Sequence, residues 1–174
     1  MRPRCSVFIA TSLDGFIARR DGSIDWLSLV EAPGEDYGYA RFFADVDALI
    51  LGRRTYDTVR AFPAWPYGGK RCVVLTHNPP EAGHGEQFHA GPPLPLLEQL
   101  HAVGVRRVYV DGGAVIQQFL RDDLIDDITL SIVPLLLGDG IRLFEGGGPS
   151  KRLRLEASRA FPTGLIQIRY QSAA

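Results

Sequence analysis

Ala48-Leu49-Ile50-Leu51-Gly52-Arg53-Arg54-Thr55-Tyr56 is the stretch that decides the fold of this chain. Its apolar start has the length and composition of a buried strand. Gly52 closes that strand and opens a helical segment, Arg53 to Phe62, which Pro63 stops. A glycine at a strand-to-helix turn permits close backbone approach. The helix start offers unpaired N–H groups to an anion, and two arginines add charge and forked donors. The Thr55 hydroxyl is placed to cap the helix or reach a phosphate oxygen. A second turn of the same design, Gly112-Gly113, follows another strand. Two such turns in one small domain suit an extended ligand with phosphates, such as a dinucleotide. Both fall at the carboxyl ends of strands, where open α/β sheets take their ligands. Neither is a Gly-x-Gly-x-x-Gly fingerprint or a P-loop with its lysine.

Outward from this stretch, strands are expected at Cys5–Ser12, Asp47–Leu51, Arg71–Thr76, Arg107–Val110 and Asp127–Leu137. Helices are expected at Glu35–Val46, Pro92–Val103 and Ala114–Leu120, besides the one after Gly52. Phe16–Ala18 reads as a short extended piece, and Asp25-Trp26-Leu27 as the entry to a polar loop. Leu153–Phe161 and Leu165–Gln171 flank Pro162-Thr163-Gly164 and alternate partially, an antiparallel hairpin. Strands alternating with helices predict an α/β fold with a mixed, mostly parallel central sheet covered on both faces and closed by that hairpin.

At 174 residues and 45% hydrophobic content the chain forms one domain with a core sufficient to fold alone. A net charge of −1 gives no electrostatic footprint for nucleic acid or an anionic membrane. Lys151, Arg152 and Arg154 read as a solvated strand edge. Met1-Arg2-Pro3-Arg4 lacks the apolar region of a signal peptide, and no stretch approaches the ~20 apolar residues of a membrane span. Cys5 and Cys72 lie in apolar strands. Buried free thiols fit a reducing, cytoplasmic setting, while a disulfide stays open on sequence alone. The four histidines have no metal-ligand spacing, and no Gly-x-Ser-x-Gly or Cys-His pairing suggests covalent catalysis.

Gly52-Arg53-Arg54-Thr55-Tyr56 resembles the Gly-Arg-x-Thr-aromatic signature of dihydrofolate reductases, and Val110-Asp111-Gly112-Gly113-Ala114-Val115-Ile116 resembles that fold's second Gly-Gly turn. Ser12-Leu13-Asp14-Gly15, Asp126-Asp127-Ile128-Thr129-Leu130 and Pro134-Leu135-Leu136-Leu137-Gly138 are similar to the reductase domain of the riboflavin-pathway deaminase-reductase. The match runs in order over nearly the whole chain. It resembles a stand-alone reductase domain of the dihydrofolate reductase-like, three-layer α/β/α class, without the His-x-Glu and Pro-Cys-x-x-Cys of a zinc deaminase.

The resemblance implies an NADPH-dependent reductase of a small planar heterocycle, pterin- or aminopyrimidine-like, or an NADPH-binding regulatory module without turnover. By the same carry-over, Gly52, Arg53, Arg54 and Thr55 hold the pyrophosphate and 2′-phosphate, with Arg53 or Arg54 selecting NADPH over NADH. Leu75, Thr76 and His77 border the adenosine. Gly112, Gly113, Ala114 and Val115 take the pyrophosphate at the other helix, and Ala10 and Ile17 flank the nicotinamide. Asp14 and Asp36 are the candidate substrate-binding and proton-donating carboxylates, Asp36 sixteen positions before Gly52. Trp26 and Trp65 are candidates to stack on a planar substrate. The family also implies a homodimer. Two departures stand out. Asp111 replaces the Glu of Glu-Gly-Gly, and Tyr56-Asp57-Thr58-Val59 lacks the basic residues that hold a ribose phosphate, leaving Arg60 alone nearby.

Overall fold

The computed structural model describes residues 1–145 and 150–173. Its centre is an eight-stranded sheet. Six strands run parallel: β1 (Arg4–Ser12), β3 (Ala48–Gly52), β4 (Arg71–Leu75), β5 (Gln87–His89), β6 (Arg107–Asp111) and β7 (Asp127–Val133). The order is β5-β4-β3-β6-β1-β7, continued by antiparallel β10 (Ile166–Ser172) and β9 (Leu153–Ala160). Helices α1 (Tyr39–Ala44), α2 (Arg53–Arg60), α3 (Pro93–Ala102) and α4 (Gly113–Arg121) complete three layers.

Side-chain alternation explains the layering. Ala48 and Ile50 join α3 and α4 residues, including Leu97 and Ile116, in one core cluster. Leu49 and Leu51 point the other way, into a cluster with Phe42 of α1 and Tyr56 of α2. Cys5 belongs to the first cluster and Cys72 to the second, so the sheet separates two free, buried thiols. Burial pushes both up to about 12, which leaves them inert.

Several boundaries differ from the sequence expectation. The helix expected over Glu35–Val46 shrinks to α1, because Gly34, Tyr37 and Gly38 all take positive φ and hold the preceding segment out of a helix. Asp25–Val30, expected as loop, is a 3-10 helix. It buries Trp26 and Val30 in a third cluster with Val133, Phe161 and Leu165. The strand expected to reach Leu137 ends at Val133, ahead of Pro134, which has no N–H to continue a ladder. Strand β5 was not expected, nor was the pairing of β2 (Phe16–Ala18) with β8 (Ile141–Arg142) as a separate two-stranded ribbon. Among the described residues no helix is long and apolar enough to cross a membrane.

A charge cluster fixes the amino-terminal end of the parallel sheet. The Asp127 carboxylate is almost fully buried and accepts from Arg4 Nε at 2.6 Å, Ser6 Oγ at 2.8 Å and an Arg107 guanidinium nitrogen at 3.4 Å. It thereby ties β1, β6 and β7 together. Asp127→Ala strands these donors, and the expected cost is about 1–3 kcal/mol, read as a lower urea midpoint. The carboxyl ends lie at the far side of the sheet, so ligand affinity there should be unchanged.

Candidate active site at the carboxyl ends of the parallel strands

Strands β3 and β6 are neighbours with Leu51 paired to Asp111, so Gly52 and Gly112 leave the sheet side by side. The two glycine turns interlock. Gly112 has φ 99°, and a Cβ added there would lie 2.4 Å from Thr55 Oγ1 and 3.5 Å from the Gly52 nitrogen. A Cβ on Gly52 would meet Val115 Cγ2 at 3.1 Å, and one on Gly113 would meet Ile17 Cδ1 at 2.9 Å. Gly52, Thr55, Gly112, Gly113, Val115 and Ile17 are therefore brought to one place. Ala114 sits exposed in the first turn of α4. Neither α2 nor α4 has a side-chain N-cap, so their first-turn amides are open to an anion.

Leu75 pairs directly with Gly52 across β3 and β4, which places Leu75 and Thr76 beside the first turn. The Thr76 hydroxyl accepts the Asn78 N–H at 3.1 Å and shapes the following loop. Two contacts hold that loop to α2. An Arg53 guanidinium nitrogen donates to the Asn78 carbonyl, and buried Glu86 accepts the Tyr56 hydroxyl along with the Gly83 and His84 N–H groups. The two arginines thus differ. Arg53 Nε lies 2.9 Å from both Asp57 oxygens. The Arg54 guanidinium is exposed and has no hydrogen bond or ion pair among the described residues.

Beside this clamp, on the α1 face of the sheet, lies an open cavity of about 730 Å³. Phe8 and Ala10 of β1, Ser131 of β7, Val30, Tyr39 and Leu165 form much of its wall. Ala10 is the one expected cofactor residue that also lines it. Trp26 does not: it is 2% exposed inside the third core cluster, with no face open to a ligand. Trp65 stacks on His84 with centroids 4.5 Å apart, at the edge of the α2 core.

The two expected carboxylates are both engaged by the backbone. Asp14 accepts the Ser12 hydroxyl at 2.6 Å and the Leu137 and Gly138 N–H groups at 3.0 and 2.8 Å. It clasps the β1–β2 turn to the loop after β7. The Ser12 hydrogen bond, helped by those amides, lowers its carboxyl to about 2. Asp36 lies on the cavity rim and accepts the Gly38 and Ala40 N–H groups, each at 2.9 Å. The Ala40 and then the Gly38 amide hold its carboxyl below the usual range. Both are anions at neutral pH.

The titrating group is Asp111, at the carboxyl end of β6. Its burial beside Tyr39, Tyr67 and Tyr109 pushes the carboxyl up to about 6, against the pull of the Gly112 N–H at 2.9 Å. In sequence Asp111 reads only as the replacement for the Glu of Glu-Gly-Gly, because its partial burial beside three tyrosines is a tertiary property. Phe8, Tyr39 and Ser131 were missed for the same reason. The sole signal was the polar Ser131 between the apolar Leu130 and Ile132.

The RibD C-terminal domain profile matches residues 68–167. The uncharacterized protein YwjB of Bacillus subtilis is 36% identical over 177 residues, covering 99% of this chain and 100% of its own length. The riboflavin biosynthesis protein RibD of Corynebacterium ammoniagenes is 31% identical over 158 residues, covering 80% of this chain but 45% of that protein. A solved structure from Shewanella sp. PV-4, provisionally assigned to riboflavin biosynthesis, superimposes with a TM-score of 0.92 at 36% identity over the full length of both chains. With its interlocked glycine turns and its sheet order, this chain belongs to the RibD C-terminal domain family.

Proposed function

We propose that this protein is a cytoplasmic, NADPH-dependent reductase of a small planar heterocycle of the aminopyrimidine or pterin class. The observation that carries this reading is the interlocked pair of glycine turns beside an open aromatic cavity that Ala10 helps to line. The residues present fit a dinucleotide. Two uncapped helix starts face the pyrophosphate, the cradle at Gly112 has no room for a Cβ, and a guanidinium stands open on α2. When bound, NADPH supplies the hydride.

The chain does the rest. The first-turn amides of α2 and α4, with Gly52, Thr55, Gly112, Gly113, Ala114 and Val115, seat the pyrophosphate. Leu75 and Thr76 border the adenosine. Ala10 and Ile17 flank the nicotinamide and keep water from the reacting faces. The substrate lies in the cavity, where Asp36 accepts hydrogen bonds from its amino edge. Asp14 and Asp36, held as anions, are poor proton donors. Asp111, at about 6, has the acidity a donor near neutral pH requires, and because it lies behind Tyr39 and does not line the cavity its proton would be relayed through water.

Arg54 is the group that reads the 2′-phosphate, since Arg53 is shared between Asp57 and Asn78. Arg54→Ala is expected to weaken NADPH roughly 10- to 100-fold and leave NADH nearly unchanged, by calorimetry with each cofactor. Failure of the native protein to bind NADPH in the micromolar range removes the whole reading. A second reading, a cofactor-binding module without turnover, draws on the same engaged carboxylates. Its signature is NADPH binding with no oxidation across a panel of pterins and pyrimidines. We also propose a homodimer through the terminal hairpin, where every residue of edge strand β9 is exposed, Leu153 and Leu155 included. A monomer in sedimentation equilibrium contradicts it.

A further inference from the structure

Building on the assignment of the cavity as the substrate site, we infer that this protein's substrate carries no phosphate: it is a planar amino-heterocycle, neutral or monocationic at its donor edge. The cavity's charge carries this. Glu31, Glu35 and Asp36 line one side, and no lysine, arginine or histidine lines any part of it. None of the three carboxylates is in an ion pair among the described residues. Glu35 accepts only the Tyr37 N–H at 2.7 Å, and Asp36 only the Gly38 and Ala40 N–H groups. Hydrogen bonds from amides leave the full negative charge in place.

The acidic segment is fixed in position. Tyr37 holds a left-handed φ of 56°, its hydroxyl bonds the Val30 carbonyl and Thr163, and its carbonyl accepts Gln167 Nε2 at 2.9 Å. The backbone of the acidic segment is therefore anchored to the C-terminal hairpin, and the Tyr37, Gly38 and Ala40 amides hold the Glu35 and Asp36 carboxylates against it. On the opposite wall Ser131 is 4% exposed, and its oxygen accepts Gln167 Nε2 at 3.0 Å. Its own hydrogen has no protein acceptor among the described residues, which leaves one donor for a ring nitrogen or carbonyl. Phe8 and Tyr39, edge to face at 5.6 Å, supply aromatic surface to the wall.

A phosphomonoester brings about −1.5 to −2 charges at pH 7. Against three carboxylates with no cation beside them, it is repelled, while a protonated amino-heterocycle is attracted. The missing basic residues after Gly52-Arg53-Arg54-Thr55 agree: the cation open there, Arg54, is committed to the cofactor.

The test is calorimetry with a ribosylaminopyrimidine, its 5′-phosphate and 2,4-diaminopyrimidine, on both cofactor-free and NADP⁺-loaded protein. The phosphate-free riboside is expected to bind at least about tenfold tighter than its phosphate, with a gap that shrinks in high salt. Glu31→Gln/Glu35→Gln should narrow the gap to about threefold or less. The Glu31 side chain makes no hydrogen bond or ion pair among the described residues, so Glu31→Lys should fold normally and favour the phosphate. Equal or tighter binding of the phosphate to the native protein overturns the inference. So does an unchanged gap in the variants, or no binding of any probe at millimolar concentration. The cofactor-free arm reads the cavity even if NADPH fails to bind, which separates this inference from the cofactor reading.

Discussion

Gly112→Ala is expected to lower NADPH affinity more than 100-fold, by a mechanism confined to the contact between the two turns. Gly112 sits at φ 99° and ψ 130°, a region that side chains of L-residues rarely enter. The new methyl would also stand 2.4 Å from Thr55 Oγ1 and 3.4 Å from Thr55 Cβ. Thr55 is branched at Cβ and sits in the first turn of α2, so rotation alone cannot clear the space. The relief available is to move α2 away from β6, and that opens the place where the pyrophosphate is to sit. The expected loss of stability is about 1–3 kcal/mol, from backbone strain and overpacking together. Gly112→Ala/Thr55→Ala provides the control. It removes the clash but not the strain, so it should regain part of the stability. An affinity within threefold of the native value in Gly112→Ala would refute the clamp.

Residues that act through local backbone chemistry were legible in sequence. Gly52 and Gly112-Gly113 announce tight turns because glycine is needed wherever backbone must approach backbone, and the apolar runs before them announce buried parallel strands. The mostly parallel sheet follows from the alternation of strands and helices, with β5 joining it through a loop alone. What sequence could not supply is set across the chain. Trp26 reads as a loop-entry aromatic that could stack on a substrate, yet Val133, Phe161 and Leu165, over one hundred positions away, enclose it. Asp14 and Asp36 read as acids free to donate, yet Leu137 and Gly138 in the one case, and Gly38 and Ala40 in the other, already hold their charge. Arg53 and Arg54 are equivalent in sequence, and Asp57 together with the loop beyond β4 distinguishes them.

Asp111→Asn is expected to make the protein more stable near pH 7.5 and at the same time reduce its turnover about 100-fold, with KM little changed. Burial raises the folded-state carboxyl to about 6, above the roughly 3.9 of an unfolded aspartate. Between those values the folded chain holds a proton that the unfolded chain has released. The group's contribution to stability is therefore complete below about pH 4 and is lost as pH rises through about 6. Above pH 7 the native protein buries an anion in an aromatic layer, at a cost of about 1–3 kcal/mol. Asparagine keeps the Gly112 N–H partner without the charge, so the variant's advantage should be absent near pH 4, open through pH 6 and level off above pH 7. Urea unfolding of both proteins across that range reads it directly. Equal stability at every pH would mean that Asp111 is solvated like any surface acid. A variant that gains stability yet keeps its turnover would show the buried carboxyl to be a strain without a catalytic return, and the proton would then have to come from water in the cavity. The expected pairing of higher stability with lost activity is what a group held at an unfavourable protonation for its chemistry should give.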